Sequence, residues 1–187
     1  MSAPADLPDL VVRTLDLSRR RGFITSTRHE TGRLLATLAA SRQGTLAEFG
    51  TGCGVGSAWL SSGAGKGARI VSAELDPGLA GDVQAIFADH DDVEVIAGDW
   101  STLEQYAPFS LVFVDMREVM ERIDLLADLL EPGGIVVLDD FVPSSNWPPI
   151  VDGQVDAIRE QWLTDERFAA VELLIDEGAS LVIATRR

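Results

Sequence analysis

Glycine recurs at alternate positions in Glu48-Phe49-Gly50-Thr51-Gly52-Cys53-Gly54-Val55-Gly56-Ser57. Such a run lets the backbone turn sharply and lets a ligand lie on main-chain N–H groups. The apolar stretch Thr45-Leu46-Ala47 before it reads as a strand, and Ala58-Trp59-Leu60 after it reads as the start of a helix. Strand, glycine turn and helix N-terminus together make a nucleotide-type pocket. The dinucleotide fingerprint G-x-G-x-x-G/A requires a third small residue. Counting from Gly50, Gly52 or Gly54 finds Val55, Ser57 or Trp59 instead, so that fingerprint is absent. A phosphate loop at Ser62-Gly63-Ala64-Gly65-Lys66-Gly67 also fails, because Gly67 stands where a Ser or Thr is needed.

Two further segments carry acids where a nucleoside needs them. Ile70-Val71-Ser72-Ala73-Glu74-Leu75-Asp76-Pro77 is a strand that ends in Glu74. That acid falls about 20 positions beyond the glycine turn, where a carboxylate accepts hydrogen bonds from ribose hydroxyls. Asp76, before Pro77, reads as the cap of the next helix. In Val95-Ile96-Ala97-Gly98-Asp99-Trp100, Asp99 suits an exocyclic amine and Trp100 offers a flat surface to an adenine. The plainer alternative is that Asp99 caps a helix and Trp100 covers the core.

The elements that position these residues follow from apolar spacing. The chain has 187 residues, 46% of them hydrophobic, enough for a real core in one domain. Residues 1–43 read as an N-terminal helical cap, with helical spacing from Asp6 to Arg21, a stop at Gly22, and a second helix from Thr31 to Ser41. Residues 44–187 read as an α/β core. Strands are expected at Leu46–Phe49, Ala68–Ala73, Val93–Ala97, Leu111–Val114 and Ile135–Leu138. Helices are expected at Ser57–Ser62, Gly78–His90, Ser101–Tyr106, Arg117–Leu130 and Gly153–Leu163. Short strands apolar on both faces predict a parallel sheet covered on both sides. Ala170–Ile175 and Ser180–Thr185, separated by Asp176-Glu177-Gly178-Ala179, read as an antiparallel hairpin. The fold class is thus a Rossmann-like, doubly wound, seven-stranded sheet, mostly parallel, with an antiparallel C-terminal hairpin strand.

Composition excludes several partners. A net charge of −15 argues against nucleic acid, whose binding rests on Lys and Arg, and against an anionic membrane surface. No apolar run spans a membrane, and Met1-Ser2-Ala3-Pro4-Ala5-Asp6 has no leader pattern. Cys53 is the only cysteine, which excludes an internal disulfide and fits a cytoplasmic, reducing compartment. It reads as a small packed residue, not a nucleophile.

The run Glu48-x-Gly50-x-Gly52-x-Gly54 resembles the first motif of class I methyltransferases that use S-adenosylmethionine. With Gly32 in the helical cap, Ala73-Glu74-Leu75-Asp76, Leu111-Val112-Phe113-Val114-Asp115 and Val137-Leu138-Asp139-Asp140, most of the chain is similar to the small O-methyltransferases of the catechol and caffeoyl-coenzyme A type. The resemblance implies that the turn residues Gly50, Thr51, Gly52, Gly54, Gly56 and Ser57 hold the methionine part. Glu48 organises that loop and faces the cofactor, Glu74 with Leu75 binds the ribose, and Asp99-Trp100 the adenine. It implies a small-molecule acceptor, a homodimer, and a divalent cation such as Mg²⁺ at Asp115, Asp139 and Asp140. Oxygen ligands suit that ion, which would lower the pKa of a bound hydroxyl. Asp115 then lies nearest the chemistry, also lining the cofactor pocket. His29, in the polar segment between the cap helices, is a candidate base.

Three features depart from that family. Asp140 stands where an Asn is usual, and Met116-Arg117-Glu118 contains no lysine base. Asp139 and Asp140 point to opposite faces of a strand and can share an ion only if the chain turns there. Two alternatives therefore stay open: a non-catalytic adenosyl-nucleoside-binding protein, and a metal-independent methyltransferase of another small-molecule class. The loop from Phe141 to Ile150, with Trp147 and its prolines, is the expected substrate wall.

Overall fold

The computed structural model describes residues 6–23 and 26–187. Met1 to Ala5, read above as free of a leader, lie outside the described residues. Two amphipathic helices come first, α1 (Asp9–Arg21) and α2 (His29–Ala39). Gly22 closes α1 in the left-handed conformation, φ 64°, with its N–H on the Arg19 carbonyl at 3.2 Å. Glycine adopts that φ without the steric cost of a Cβ, which is why the helix stops where the sequence predicts.

Strands and helices then alternate: β1 (Gly44–Phe49), α3 (Val55–Gly63), β2 (Ala68–Glu74), α4 (Pro77–Ile86) and β3 (Val93–Ala97). After a 3-10 turn at Trp100–Tyr106 come β4 (Phe109–Val114), α5 (Arg117–Met120), α6 (Ile123–Leu129) and β5 (Leu130–Phe141). The chain ends with β6 (Ile150–Val151), β7 (Gln154–Val155), α7 (Ala157–Thr164), β8 (Phe168–Leu174) and β9 (Ser180–Arg186). The large sheet has seven strands in the order β3-β2-β1-β4-β5-β9-β8. The first five run parallel, and β9 inserts antiparallel between β5 and β8. The expected doubly wound sheet and reversed hairpin are both present.

Alternation along the strands sorts the core into two layers. Leu46, Ile70, Leu111, Phe113, Ile135 and Val137 face the layer built with α1, α2 and α3. Ala47, Val71, Val112, Val114, Val136 and Leu138 face the other, with α6 and α7. The same parity puts Glu48, Glu74, Asp115 and Asp139 on the side of the N-terminal helices, each at the carboxyl end of its strand.

Four sequence expectations shift. The helix expected over Arg117–Leu130 is two helices, because Arg122 leaves helical geometry (φ −103°, ψ 53°) and lays its guanidinium 5.4 Å from the Trp100 ring centre. Leu130 belongs to β5, where it pairs with Phe109. The helix expected from Gly153 begins at Ala157, capped by Asp156. Before it, Asp152 and Gly153 take φ 50° and 78° and turn the β6–β7 hairpin, the conformation an Asp-Gly pair favours. Helix α4 stops at Ile86, short of His90. No helix of the described residues is long and apolar enough to cross a membrane.

Candidate active site

The winding of the sheet reverses at β1, which has β2 on one side and β4 on the other. Strand ends splay apart at such a point and leave a crevice above their carboxyl ends. A cavity of about 320 Å³ lies there, walled by the glycine turn, the end of β2, the Gly98–Trp100 segment and Asp115. Phe23, Ser26 and Thr27, between α1 and α2, close one side.

The glycine turn is held by its neighbours before any ligand arrives. The Thr51 N–H donates to the Ala73 carbonyl at 3.0 Å, and the Gly52 N–H to Glu74 Oε2 at 2.9 Å. The other Glu74 oxygen accepts from the Asp76 N–H at 3.0 Å. Asp76 in turn caps α4 through the N–H groups of Gly78 and Leu79, as expected. Gly52, at φ 52°, lies beneath Phe23, and a Cβ there would come within 3.2 Å of its ring. The Thr51 hydroxyl is buried without a hydrogen-bond partner among the described residues. Thr51 is also one of the residues that line the cavity.

Behind this turn sits Glu48, only 2% exposed. Its Oε2 accepts a hydrogen bond from the Ser57 hydroxyl. A Cβ on Gly56 would lie 2.0 Å from the other carboxylate oxygen, so only glycine leaves room for the acid. Burial pushes the Glu48 carboxyl up to about 8; the Ser57 hydrogen bonds oppose that shift, while the charges of Asp115 and Glu74 add to it. Gly56 and Ser57 therefore back the loop through Glu48, and Gly54 packs near Val83 and Phe87. Gly50, Thr51, Gly52 and Glu48 itself border the cavity.

At the far end Asp99 accepts from the Ser101 N–H at 2.9 Å, and hydrogen bonding from the Ser101 side chain and then this N–H holds its carboxyl below the usual range. The capping reading of Asp99 is thus real, and the residue still lines the cavity. The Trp100 indole N–H donates to Glu118 at 3.0 Å, and its ring is tilted against Phe49 at 6.2 Å. Leu75, 72% exposed, adds an apolar wall.

The strand-end aspartates are brought together in part. Val114 pairs with Leu138, so Asp115 and Asp139 follow side by side on neighbouring strands. Asp115 is exposed and opens into the cavity. Desolvation by the surrounding crevice, reinforced by the charges of Asp139 and Asp140 and eased by Arg28, pushes its carboxyl up to about 7. Asp139 is 3% exposed and accepts from the Thr31 hydroxyl at 3.4 Å. Its pKa is raised by burial despite that bond and the nearby Arg28.

Asp140 takes φ 67° at a bulge where Leu138 pairs with Val182 and Phe141 with Ser180. Two residues of β5 thus oppose Leu181 alone, which is the turn that the alternation rule demanded. The turn delivers the Asp140 carboxylate to a guanidinium: Arg28 Nη1 donates to Asp140 Oδ1 at 3.1 Å, and Arg28 Nε lies 3.6 Å from Asp176. Among the described residues no three His, Cys, Asp or Glu side chains are grouped to hold a metal ion. Asp140, the third of the expected ligands, is paired with Arg28 instead.

Other expectations separate from the crevice. His29 is exposed at the start of α2, edge-on to Trp59 at 6.5 Å, and is not in the cavity wall. Trp147 is 63% exposed and does not reach the cavity. Cys53 is buried, as expected, and borders the cavity. Phe23, Met116 and Glu118 also line the cavity and Arg28 directly precedes His29; none of the four is legible as a site residue from local pattern.

Nor is Arg159, fully buried on α7. It donates to Asp156 at 3.0 Å, Glu172 at 2.8 Å and the Val142 carbonyl at 2.6 Å, and lies 5.3 Å from the Phe141 ring centre. This network pins the exit of β5, and with it Asp139 and Asp140. An Asp three residues before an Arg at a helix start is the only sequence signal for it.

Comparison with known proteins bears on what this crevice serves. The family profile described as a methyltransferase domain matches residues 47–141. The protein-L-isoaspartate O-methyltransferase 2 of Archaeoglobus fulgidus is 40% identical over 70 residues, which are 36% of this chain and 32% of that protein. The chain thus spans about a third of the curated relative it matches. Among solved structures, the O-methyltransferase from Bacillus cereus in complex with S-adenosylhomocysteine superposes with a TM-score of 0.80 at 20% identity, covering 98% of this chain and 93% of the other. The O-methyltransferase TomG from Streptomyces achromogenes, in complex with S-adenosylmethionine, gives 0.75 at 22% identity, covering 97% and 91%. At such identities the likeness is one of fold.

Proposed function

The chain belongs to the methyltransferase-domain family, as a class I S-adenosylmethionine-dependent methyltransferase, and from that premise we propose that it methylates a hydroxyl of a small phenolic or catechol-like acceptor. The observation that carries this reading is the crevice wall. Glu48, Glu74, Asp99, Asp115 and Glu118 border it, and no Lys, Arg or His among the described residues does. When bound, S-adenosylmethionine supplies a methyl group activated by a positive sulfonium. Apart from Glu48, which keeps its proton near neutral pH, the acids of this wall favour that cation over the neutral product, S-adenosylhomocysteine.

Each side chain then has a task that follows from its place. Glu74, steadied by Gly52 and Asp76, presents its remaining acceptor capacity to the ribose hydroxyls. Asp99 and Trp100 take the adenine, and Gly50 to Gly52 the methionine part. Asp115, at the end of β4 in the crevice wall, would face the acceptor hydroxyl. A carboxylate poised near neutral pH can take the hydroxyl proton as the oxygen attacks. Most of the acceleration comes from alignment of oxygen and methyl carbon, worth up to ~7–11 kcal/mol. That the named relatives are all O-methyltransferases supports oxygen as the target.

The divalent cation expected from the sequence receives no step in this reading, since Asp140 is engaged by Arg28. The same contact favours the metal-independent alternative. Titration calorimetry tests the core of the reading. S-adenosylmethionine should bind one to one and more tightly than S-adenosylhomocysteine, and NADH should not bind. Tight NADH binding with no S-adenosylmethionine binding would overturn it. Binding without turnover on a panel of phenols, catechols and amines would leave the non-catalytic alternative standing.

A further inference from the structure

Asp115, Asp139 and Asp140 lie at the ends of the neighbouring strands β4 and β5 without forming a group that could hold a metal ion among the described residues, and the cation beside Asp140 is a side chain of this protein. Arg28 is the residue just before α2, on the segment that borders the crevice. Its guanidinium donates to Asp140 at 3.1 Å and approaches Asp176, beyond the end of β8, at 3.6 Å. Three residues further on, the Thr31 hydroxyl donates to the buried Asp139 at 3.4 Å. The start of α2 therefore provides a donor for each of the two consecutive aspartates.

The bulge gives this arrangement its reason. Asp140 holds φ 67°, a conformation that L residues other than Asn and Asp rarely adopt. An isolated backbone excursion of that kind persists when surrounding contacts over-determine it. Here the contacts are Arg28 on the acid itself and, on the following residues, Arg159 at the Val142 carbonyl and Ser180 at the Phe141 carbonyl. Arg28 is also the basic side chain that Asp115 and Asp139 both feel. A guanidinium offers a planar, permanently charged fork that suits two carboxylates at once.

We propose that Arg28 is a built-in cation: by engaging Asp140 it supplies the positive charge that a divalent ion would otherwise bring to the strand-end aspartates, so methyl transfer proceeds without bound metal. Arg28 acts as a positioning residue, through the aspartates. Because it sits on the segment between α1 and α2, it also couples the seating of that segment to the aspartates. The inference rests on the methyltransferase reading for what the site does, while its ion-binding test stands without that reading.

The test is Mn²⁺ binding, read by electron paramagnetic resonance and by calorimetry, on the intact protein and on Arg28→Ala and Arg28→Gln. Arg21→Ala serves as a control, because Arg21 pairs with Asp82 on the surface and its loss removes an equal charge elsewhere. Circular dichroism checks folding. Wild type and Arg21→Ala should show only weak, non-stoichiometric Mn²⁺ binding. Both Arg28 variants should gain a one-to-one site at least tenfold tighter, and adding Asp139→Asn should remove it. A one-to-one Mn²⁺ site in wild type overturns the proposal whatever the variants do. So does the absence of any gain in the Arg28 variants relative to Arg21→Ala. In turnover assays, chelator should leave wild type unchanged; loss of activity in chelator with recovery on Mg²⁺ would also overturn it. If wild type fails to bind S-adenosylmethionine, the functional reading fails, and the Mn²⁺ titration still decides the role of Arg28.

Discussion

The carboxylate of Glu74 accepts a hydrogen bond from the main-chain N–H of Gly52 at 2.9 Å, which ties the end of β2 to the turn that follows β1. One side chain thus shapes the glycine turn and offers its remaining lone pairs to the crevice. Replacing Glu74 by Ala should weaken S-adenosylmethionine binding by about 10–100-fold, the range for losing hydrogen bonds to a charged acceptor. Calorimetry reads this directly. A dissociation constant within twofold of wild type would remove Glu74 from the ribose.

Glu48 makes stability depend on pH in the direction opposite to most carboxylates. Its proton is retained in the folded protein up to about pH 8, whereas the unfolded chain releases it near 4.5. Between those values the folded state binds more protons, so unfolding free energy falls as pH rises. The contribution is complete below pH 4.5, declines by at most ~1.4 kcal/mol per unit, and levels off above about 8. Glu48→Gln keeps the shape without the proton and should flatten that slope in denaturant titrations from pH 5 to 8.5. A variant whose stability still tracks wild type across this range would show that Glu48 is ionised when buried.

Asp115 separates binding from chemistry. Asp115→Asn should lower kcat by about 10²–10⁴-fold, the usual worth of a positioned base. Binding of S-adenosylmethionine should change less than tenfold. In wild type, kcat/KM should rise with pH through about 7, where desolvation and the neighbouring aspartates place this carboxyl. The asparagine variant should lack that limb. An unchanged pH profile in Asp115→Asn would assign the base elsewhere.

Arg159 is the buried hub behind the site. Its truncation to Ala removes the buried cation between Asp156 and Glu172, leaving them only Arg117 at 3.3 Å and the Ser180 hydroxyl, and should cost about 3–5 kcal/mol. Thermal unfolding checks this. The exit of β5 should loosen with it, so hydrogen exchange at Phe141 and Val142 should quicken. Arg159→Met, similar in volume, should be no better, because the two acids still lose the buried guanidinium.

Much of this molecule was legible in the order of its residues. The glycine run, Glu74 and Asp99-Trp100 are local signals, since a turn, a strand end and a cap are each set by a few neighbouring residues. Strand alternation likewise puts Glu48, Asp115 and Asp139 on one face, and the Ala170–Thr185 segment reads as a hairpin because both strands are close in sequence. The Asp152-Gly153 hairpin was equally local but hidden inside an apparent helical run. What tertiary structure alone decided is who meets whom across long separations. Arg28 reaches Asp140 over 112 positions and Thr31 reaches Asp139 over 108. Neither residue carries a periodic or motif signature, because a single ion pair needs only one side chain at each end. The break at Arg122 and the bulge at Asp140 belong to the same class. Each is a backbone departure stabilised by a partner that folding brings from elsewhere, so no window of sequence contains its cause.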